Sequence, residues 1–260
     1  MGWRRLVTRA SSRLLPGIPL PIRVPPGLWW LARGDAVSNM LFQGTFEPLE
    51  RALLPDVVRP GMTVLDIGAN AGIYTLLASR LVGAGGRVIA FEPSARERSR
   101  LTAHLALNRI ANVSVEPFAV GNADGETAFF VAANFEAGFN SRIEAAGIPM
   151  TRVRVPIRRL DSYAATARLD RVDFVKLDVE GGERDALAGG ERLLRQARPT
   201  ILCEIEPSRI EPWGYSPRDI YDLVASWGYE WFALDPAALV PLPDAPSTFN
   251  GTYLARPRPA

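Results

Sequence analysis

The chain has 260 residues, 47% of them hydrophobic and 22% charged, enough to bury one large core. A single cysteine, Cys203, excludes an internal disulfide and any cysteine-rich metal site. The net charge of +2 is uneven: residues 1–34 carry six arginines and no acid, which leaves 24 basic and 28 acidic residues elsewhere, a net of −4 that argues against a nucleic-acid-binding body.

Residues 1–45 read as a basic N-terminal arm, with Trp3, Leu6, Leu14, Leu15, Trp29 and Trp30 set among the arginines. Pro16, Pro19 and Pro21 interrupt any apolar run before it reaches the length of a secretory signal, and no stretch is long enough to span a bilayer. The arm is expected to pack on the domain that follows, residues 46–260. Contact with a membrane surface or an acidic partner is the second reading, and an Arg-rich presequence the third. A cytoplasmic protein, touching a membrane at most at its surface, is expected.

From residue 60 onward, short β-like runs alternate with helical periods. Thr63–Ile67 reads as a buried strand, residues 68–72 as a tight turn, and Ile73, Leu76, Leu77 and Leu81 as one helix face. Arg87–Phe91 is a second strand; Ser94, with Glu97 three residues on, reads as a capping box opening the next helix. A short strand at 113–115 follows. Residues 127–131 and 152–158 then read as a hairpin-like insertion whose long connection, 134–150, has no period of its own. The alternation resumes with a strand at 172–179, a helix at 183–196 broken at Gly189 and Gly190, a strand at Thr200–Ile205, and a helix opened by Ser216-Pro217-Arg218-Asp219. Tyr229–Leu234 and residues 249–254 close the domain as an antiparallel pair joined by a Pro-rich loop. The expected fold is α/β: a doubly wound, mostly parallel Rossmann-like sheet with a C-terminal antiparallel strand and a hairpin insertion.

In such a sheet a ligand sits beyond the carboxyl ends of the central strands. The first strand runs into Asp66-Ile67-Gly68-Ala69-Asn70-Ala71-Gly72, and the second ends at Glu92, 24 residues beyond Gly68. A carboxylate at that place can accept both hydroxyls of a ribose. Dinucleotide enzymes use G-x-G-x-x-G, whose middle glycine makes room for pyrophosphate; here Asn70 stands there and the pattern is G-x-x-x-G. Asp66 suits an ammonium better than a phosphate. A ligand with a ribose, an amino-acid end and no phosphate is S-adenosylmethionine.

"VLDIGANAGIYT", "FEP", "NVSVEPFAVGN", "RRLDSY" and "VDFVKLDVEGGERDALAGGERLL", with the lead-in "FEPLERALLPDVVRPGMTV", resemble the FkbM-type family of S-adenosylmethionine-dependent methyltransferases, from about Phe46 to Ile205. The resemblance implies a class I methyltransferase fold. It implies O-methylation of a hydroxyl on a sugar of a glycolipid or polysaccharide, or on a macrolide-type natural product. It also implies that Asp66, Gly68, Asn70 and Gly72 form the loop at the methionine end, with Tyr74 and Thr75 near it. Glu92 takes the ribose, and Ser94 and Ala119 flank the adenine.

Lys176 is the only lysine in the chain; the other 29 basic residues are arginines. It shares a strand face with Phe174 and Asp178, two residues short of the tip where Asp178 and Glu180 emerge. A lysine so placed needs carboxylate partners, so Lys176 is expected to orient the acidic cluster; a base of lowered pKa is its lesser reading. His104, the single histidine, is expected on the helix after Glu92 as a surface or packing residue. That leaves Asp178, then Glu180, as the base for the acceptor hydroxyl. Asp178, Glu180, Glu204 and Glu206 could instead ligate Mg2+, a role ranked below the base. Glu183 reads as a helix-dipole residue, Asp161 as the N-cap of a helix over 162–167, and Cys203 as an inert core thiol. The rival functions are a non-catalytic S-adenosylmethionine-binding protein and an NAD-dependent oxidoreductase.

Overall fold

In the computed structural model, residues 19–33, 35–133, 140–246 and 249–259 are described. The arginines and tryptophan of residues 1–18 and part of the 134–150 connection lie outside them.

Among the described residues the first elements are β1 (Leu20–Val24) and β2 (Leu28–Ala32), an antiparallel hairpin, followed by α1 (Ala36–Gln43) and α2 (Pro48–Val57). This stretch is built into the core: Val24, Leu28, Trp30 and Leu41 are buried in the same cluster as Leu76 and Leu101. Asp35 caps α1 and also pairs with the buried Arg100 at 3.0 Å, so a charge network ties the segment to the body.

The central elements follow as β3 (Thr63–Ile67), α3 (Ile73–Val82), β4 (Arg87–Phe91), α4 (Ala95–Leu107) and β5 (Val113–Glu116). A three-stranded insertion holds β6 (Ala119–Val120), β7 (Gly125–Ala132) and β8 (Met150–Arg158), the last two antiparallel. Then come α5 (Leu160–Ala167), β9 (Phe174–Leu177), α6 (Glu183–Gly189), α7 (Glu191–Ala197) and β10 (Thr200–Ile205). The chain closes with α8 (Pro207–Ile210), a 3-10 turn over Glu211–Trp213, α9 (Pro217–Ser226), β11 (Tyr229–Leu234), β12 (Leu239–Leu242) and β13 (Gly251–Pro257).

The eight strands of the main sheet run in the order β12-β11-β13-β10-β9-β3-β4-β5. β5, β4, β3, β9 and β10 are parallel, and β13 is inserted antiparallel between β10 and β11. This is the doubly wound sheet expected from the alternation. The chain leaves β3 toward β4 on one side and returns to β9 on the other, so the switch point lies between β3 and β9. Buried residues alternate between the two sheet faces along β9: Phe174 joins one core cluster, Val175 and Leu177 the other.

Several local expectations change. The strand at 172–179 shortens to Phe174–Leu177, and the Asp178 N–H beyond it still donates to Ile67 O at 3.0 Å. The Pro-rich connection before β13 contributes a strand, β12, through antiparallel pairing with β11. Asp161 is not the N-cap of α5, whose cap is Arg159. Its carboxylate instead accepts from the backbone N–H of Arg192 at 3.2 Å and Leu193 at 2.9 Å, capping the first turn of α7. At Ser94 half a capping box forms: the hydroxyl accepts from Glu97 N, but Glu97 turns its carboxylate to Arg96 and Arg100. The Ser216–Asp219 capping box is complete.

Candidate active site

The carboxyl ends of β4, β3, β9 and β10 converge on one cavity of about 300 Å³. β3 and its turn bring Asp66, Gly68, Asn70 and Gly72; β4 brings Glu92; the tip after β9 brings Asp178 and Glu180; β10 brings Glu204 and Glu206. Lys176, Tyr74 and Ala119 also line it. Thr75 and Ser94 do not: both are fully buried behind the lining, Thr75 donating to Asp66 and Ser94 offering its N–H to Glu92.

The turn after β3 is shaped by close approach. Gly68 and Ala69 both donate their N–H to Phe91 O at 3.0 Å, which pulls the loop over the end of β4. A β-carbon on Gly68, whose φ is +87°, would stand 1.7 Å from Asp178 O, so only glycine lets β3 and β9 meet at the switch point. Asn70 adopts φ +50°, a conformation asparagine tolerates, and its N–H donates to Glu92 Oε2 at 2.8 Å.

Glu92 is 4% exposed, yet it lines the cavity. Its Oε1 accepts from Ser94 N at 2.7 Å, so each carboxyl oxygen is oriented by one backbone donor and keeps lone pairs for a ligand. Burial pushes its pKa up to about 7. Phe91, Pro93, Phe118, Ala119 and Val120 form an apolar slot beside it.

At the tip of β9, Lys176 Nζ lies 3.1 Å from Asp178 Oδ2 and 5.0 Å above the Tyr74 ring. In register, Lys176 stands between Asp66 on β3 and Leu202 on β10. Burial disfavours its charge, but Asp178, Glu47 and Glu204 outweigh that and raise its pKa, so it stays an ammonium at neutral pH. That direction is opposite to what a lysine base needs. Burial likewise opposes the Asp178 carboxylate, and Lys176 together with a hydrogen bond from Glu204 overcomes it, leaving the pKa low. Glu204 is raised to about 10, first by the Asp178 charge and then by burial. The two carboxyls therefore titrate as a pair that shares one proton and one negative charge. Glu180, at φ +57°, pairs with Arg209 at 3.1 Å; burial and the Asp178 charge push it up.

Oxygens of Asp178, Glu180 and Glu204 lie within 4.8 Å of one another, close enough to ligate a metal among the described residues. Glu206 stands outside that group and pairs weakly with Arg209, at 4.0 Å. Lys176 and Arg209 already supply positive charge to the cluster.

Four residues take roles that the sequence did not reveal. Glu183 accepts from Val179 N at 3.0 Å and Gly181 N at 3.2 Å, holding the tip after β9 rather than only facing its own helix. His104 is fully buried and stacks on Trp30 with ring centroids 3.9 Å apart. Its two ring nitrogens join Leu31 N, at 3.0 Å, to Ala71 O, at 2.8 Å, so it belongs to the interior and links β2 to the turn after β3. Glu47, before α2, lines the cavity and accepts from the Tyr74 hydroxyl. The lead-in motif contained Glu47, but nothing local shows that it reaches Tyr74. Ser141, from the insertion, donates to Glu180 O at 2.9 Å, so the described part of the long connection meets the strand tip.

A family model, the methyltransferase FkbM domain, matches residues 66–231. The chain is 30% identical over 212 residues to AMB antimetabolite synthetase AmbE of Pseudomonas aeruginosa, a match covering 67% of this chain and 10% of that protein. It is 25% identical over 190 residues to 2-O-methyltransferase NoeI of Sinorhizobium fredii, covering 69% and 77%. It is 29% identical over 161 residues to 31-O-demethyl-FK506 methyltransferase FkbM of Streptomyces tacrolimicus, covering 52% and 61%. The chain thus spans a tenth of the first of these relatives and about three fifths of the third. It belongs to the FkbM methyltransferase domain family, as its motifs indicated.

Proposed function

We propose that the protein is an S-adenosylmethionine-dependent O-methyltransferase acting on a hydroxyl of a sugar, in a glycolipid or polysaccharide, or of a macrolide-type natural product. The observation that carries the reading is the convergence of Glu92, the Gly68–Gly72 turn and the Lys176–Asp178 pair on one cavity at the switch point. The names of the relatives NoeI and FkbM support oxygen as the methylated atom.

The residues present fit the cofactor. Glu92 offers two oriented oxygens to a diol, the slot from Phe91 to Val120 suits a flat ring, and carboxylates at the opposite end suit an ammonium. Bound there, S-adenosylmethionine supplies an electrophilic methyl group. Gly68, Asn70 and Gly72 shape the backbone cradle, and Asp66 with Thr75 behind it sets a negative field at the methionine end. Asp178 accepts the acceptor hydroxyl proton as the oxygen gains its methyl group, and later releases it to water. Lys176 favours the ionised form of Asp178, and Glu204 beside it shares the pair's single proton and helps to hold the Asp178 carboxyl in place. A depressed pKa makes Asp178 a modest base, so positioning of the acceptor is expected to carry much of the rate.

The 134–150 connection and the segment before Leu41, each of which lies partly outside the described residues, select the acceptor in this reading; the contact of Ser141 with Glu180 O supports it. A small-molecule or glycan acceptor fits a cavity whose lining holds more acids than bases, and nucleic acid does not. No helix among the described residues is long and apolar enough to cross a membrane.

Calorimetric titration with S-adenosylmethionine, S-adenosylhomocysteine and NAD tests the reading. The first two should bind and NAD should not. Methyl transfer to a panel of hydroxylated sugars and macrolides then separates the enzyme from a binding protein. Binding of NAD alone would overturn the proposal.

A further inference from the structure

The last residue before α2 is an unusual place for a glutamate. Glu47 has φ +38° and ψ 62°, a left-handed conformation that disfavours residues other than glycine, asparagine and aspartate. It makes no side-chain cap for its own helix. Its side chain instead extends into the cavity, where the Tyr74 hydroxyl donates to one carboxylate oxygen. Tyr74 lies in the first turn of α3, directly after the Gly68–Gly72 turn, and its ring lies 5.0 Å below Lys176 Nζ, so this tether holds Glu47 at the Lys176–Asp178 end of the cavity. Burial raises its pKa, and the field of Lys176 opposes that rise. Lys176, however, donates to Asp178, at 3.1 Å.

A carboxylate has about four acceptor sites. At Glu47 one neutral hydroxyl fills one of them, in a setting that also disfavours the charge. Asp66, the other acid at this end, is 2% exposed and already receives the Thr75 hydroxyl at 2.5 Å. The outer carboxylate is therefore Glu47, and the inner one Asp66. What completes Glu47 must carry positive charge and several N–H donors, and must reach the methionine end of the cavity. The sulfonium has the charge but no donors. A primary ammonium has both.

Resting on the cofactor reading above, we propose that Glu47 is the direct ion-pair partner of the α-ammonium of the cofactor's amino-acid end, with Tyr74 as its positioning residue. The segment ahead of β3 thus completes the cofactor site as well as covering it, and Asp66 acts from behind.

The test compares two ligands that differ at this end alone. S-adenosylhomocysteine carries the amino-acid group; 5′-methylthioadenosine has the same nucleoside and thioether without it. Calorimetry on the full chain should show S-adenosylhomocysteine binding weakened roughly 10-fold or more by Glu47→Gln, the range of a lost charge-assisted hydrogen bond. Binding of 5′-methylthioadenosine should stay within about twofold by the same reasoning. Glu47→Asn serves as the second variant: asparagine accepts the left-handed backbone, so the fold is retained, and its shorter side chain falls short of the ligand. Tyr74→Phe should give a smaller loss in the same ligand-selective pattern. Unchanged S-adenosylhomocysteine affinity in both Glu47 variants would overturn the inference, and so would equal losses for the two ligands, which mark a structural role. If the unsubstituted protein bound neither ligand, the cofactor reading itself would fail.

Discussion

Lys176 Nζ donates to Asp178 Oδ2 across 3.1 Å, and the two residues are two positions apart on the line of the same central strand. The only lysine in the chain is 3% exposed, with acids on three sides: Asp66 alongside on β3, Asp178 at the tip, and Glu204 on β10. A compact ammonium with three donors suits that position. A guanidinium is broader and planar and would need a fork of acceptors that the strand does not offer.

Asp178→Asn keeps the shape and removes the charge. Turnover should fall by roughly 100-fold or more, as for a lost general base, while cofactor affinity stays within a few-fold. Lys176→Arg should lower turnover and stability together, because the larger head must displace Tyr74 or Asp178. Single-turnover kinetics and melting curves read both. Near-normal turnover in Asp178→Asn would place the base elsewhere or leave the rate to proximity.

The same carboxylates define the response to chelation. Asp178 is paired with Lys176 and Glu180 with Arg209, and Asp178 and Glu204 share a proton. A divalent ion would have to break both pairs and expel that proton. Full activity is therefore expected after EDTA treatment, with no gain from added Mg2+. Loss on chelation and recovery with Mg2+ would make Asp178, Glu180 and Glu204 ligands and end the base assignment.

Gly68→Ala probes the switch point itself. The new β-carbon would meet Asp178 O at 1.7 Å, a backbone atom that cannot swing away, at φ +87°. A loss of about 3 kcal/mol or more is expected, lowering the melting temperature by roughly 6–12 °C in a chain of this size. Gly44→Ala is the control. Its φ is +76°, but nothing lies within 4 Å, so only the backbone cost of about 1 kcal/mol should appear.

The strands that carry the site were legible because each is a short apolar run ended by an acid or a glycine: Asp66 within β3, Glu92 after β4, Asp178 after β9. What stayed hidden depends on partners distant in sequence. Asp161 looks like a cap for the helix it starts, and nothing nearby shows that α7 packs its first turn there. The β1–β2 hairpin is masked by prolines and by Trp29 and Trp30, adjacent aromatics of which one is exposed and one buried. A period-2 pattern is blurred when both faces carry tryptophan. His104 gave no signal because its role is to join Leu31 to Ala71, 73 and 33 residues away.

His104 supplies a prediction of definite sign. Leu31 N–H needs an acceptor, so Nε2 is unprotonated and Nδ1 carries the proton donated to Ala71 O. Burial lowers the pKa from 6.5 to about 4. The folded value is below the unfolded one, so this stability is present above pH 6.5 and is lost as pH falls through about 4. His104→Phe fills the space without titrating. The stability difference between the unsubstituted protein and this variant should shrink by roughly 3 kcal/mol from neutral pH to below 4. A difference that stays constant across that range would mean that the ring is not held neutral.

Glu92 gives the opposite sign and links stability to binding. Burial raises its pKa from 4.5 to about 7, above the unfolded value. Its contribution is thus fully present below pH 4.5 and is lost as pH rises through about 7, so the unliganded protein should become less stable between pH 5 and 8. A diol donates to the ionised carboxylate, so cofactor affinity should rise over the upper part of that window, by up to about tenfold per pH unit below the pKa. Asp66, raised to about 6, adds to the same trend in stability. Glu92→Gln should flatten the Glu92 share of both profiles. In the proposed role, Glu92→Ala would remove two charge-assisted hydrogen bonds to the ribose, each worth roughly 1.5–3 kcal/mol, and it leaves Asn70 N and Ser94 N without their acceptors. Its affinity for S-adenosylhomocysteine should fall at least 100-fold, to or below the limit of calorimetric detection. Affinity that is flat from pH 6 to 8 in the unsubstituted protein, together with binding that survives Glu92→Ala, would remove the ribose from Glu92 and require another residue to hold it.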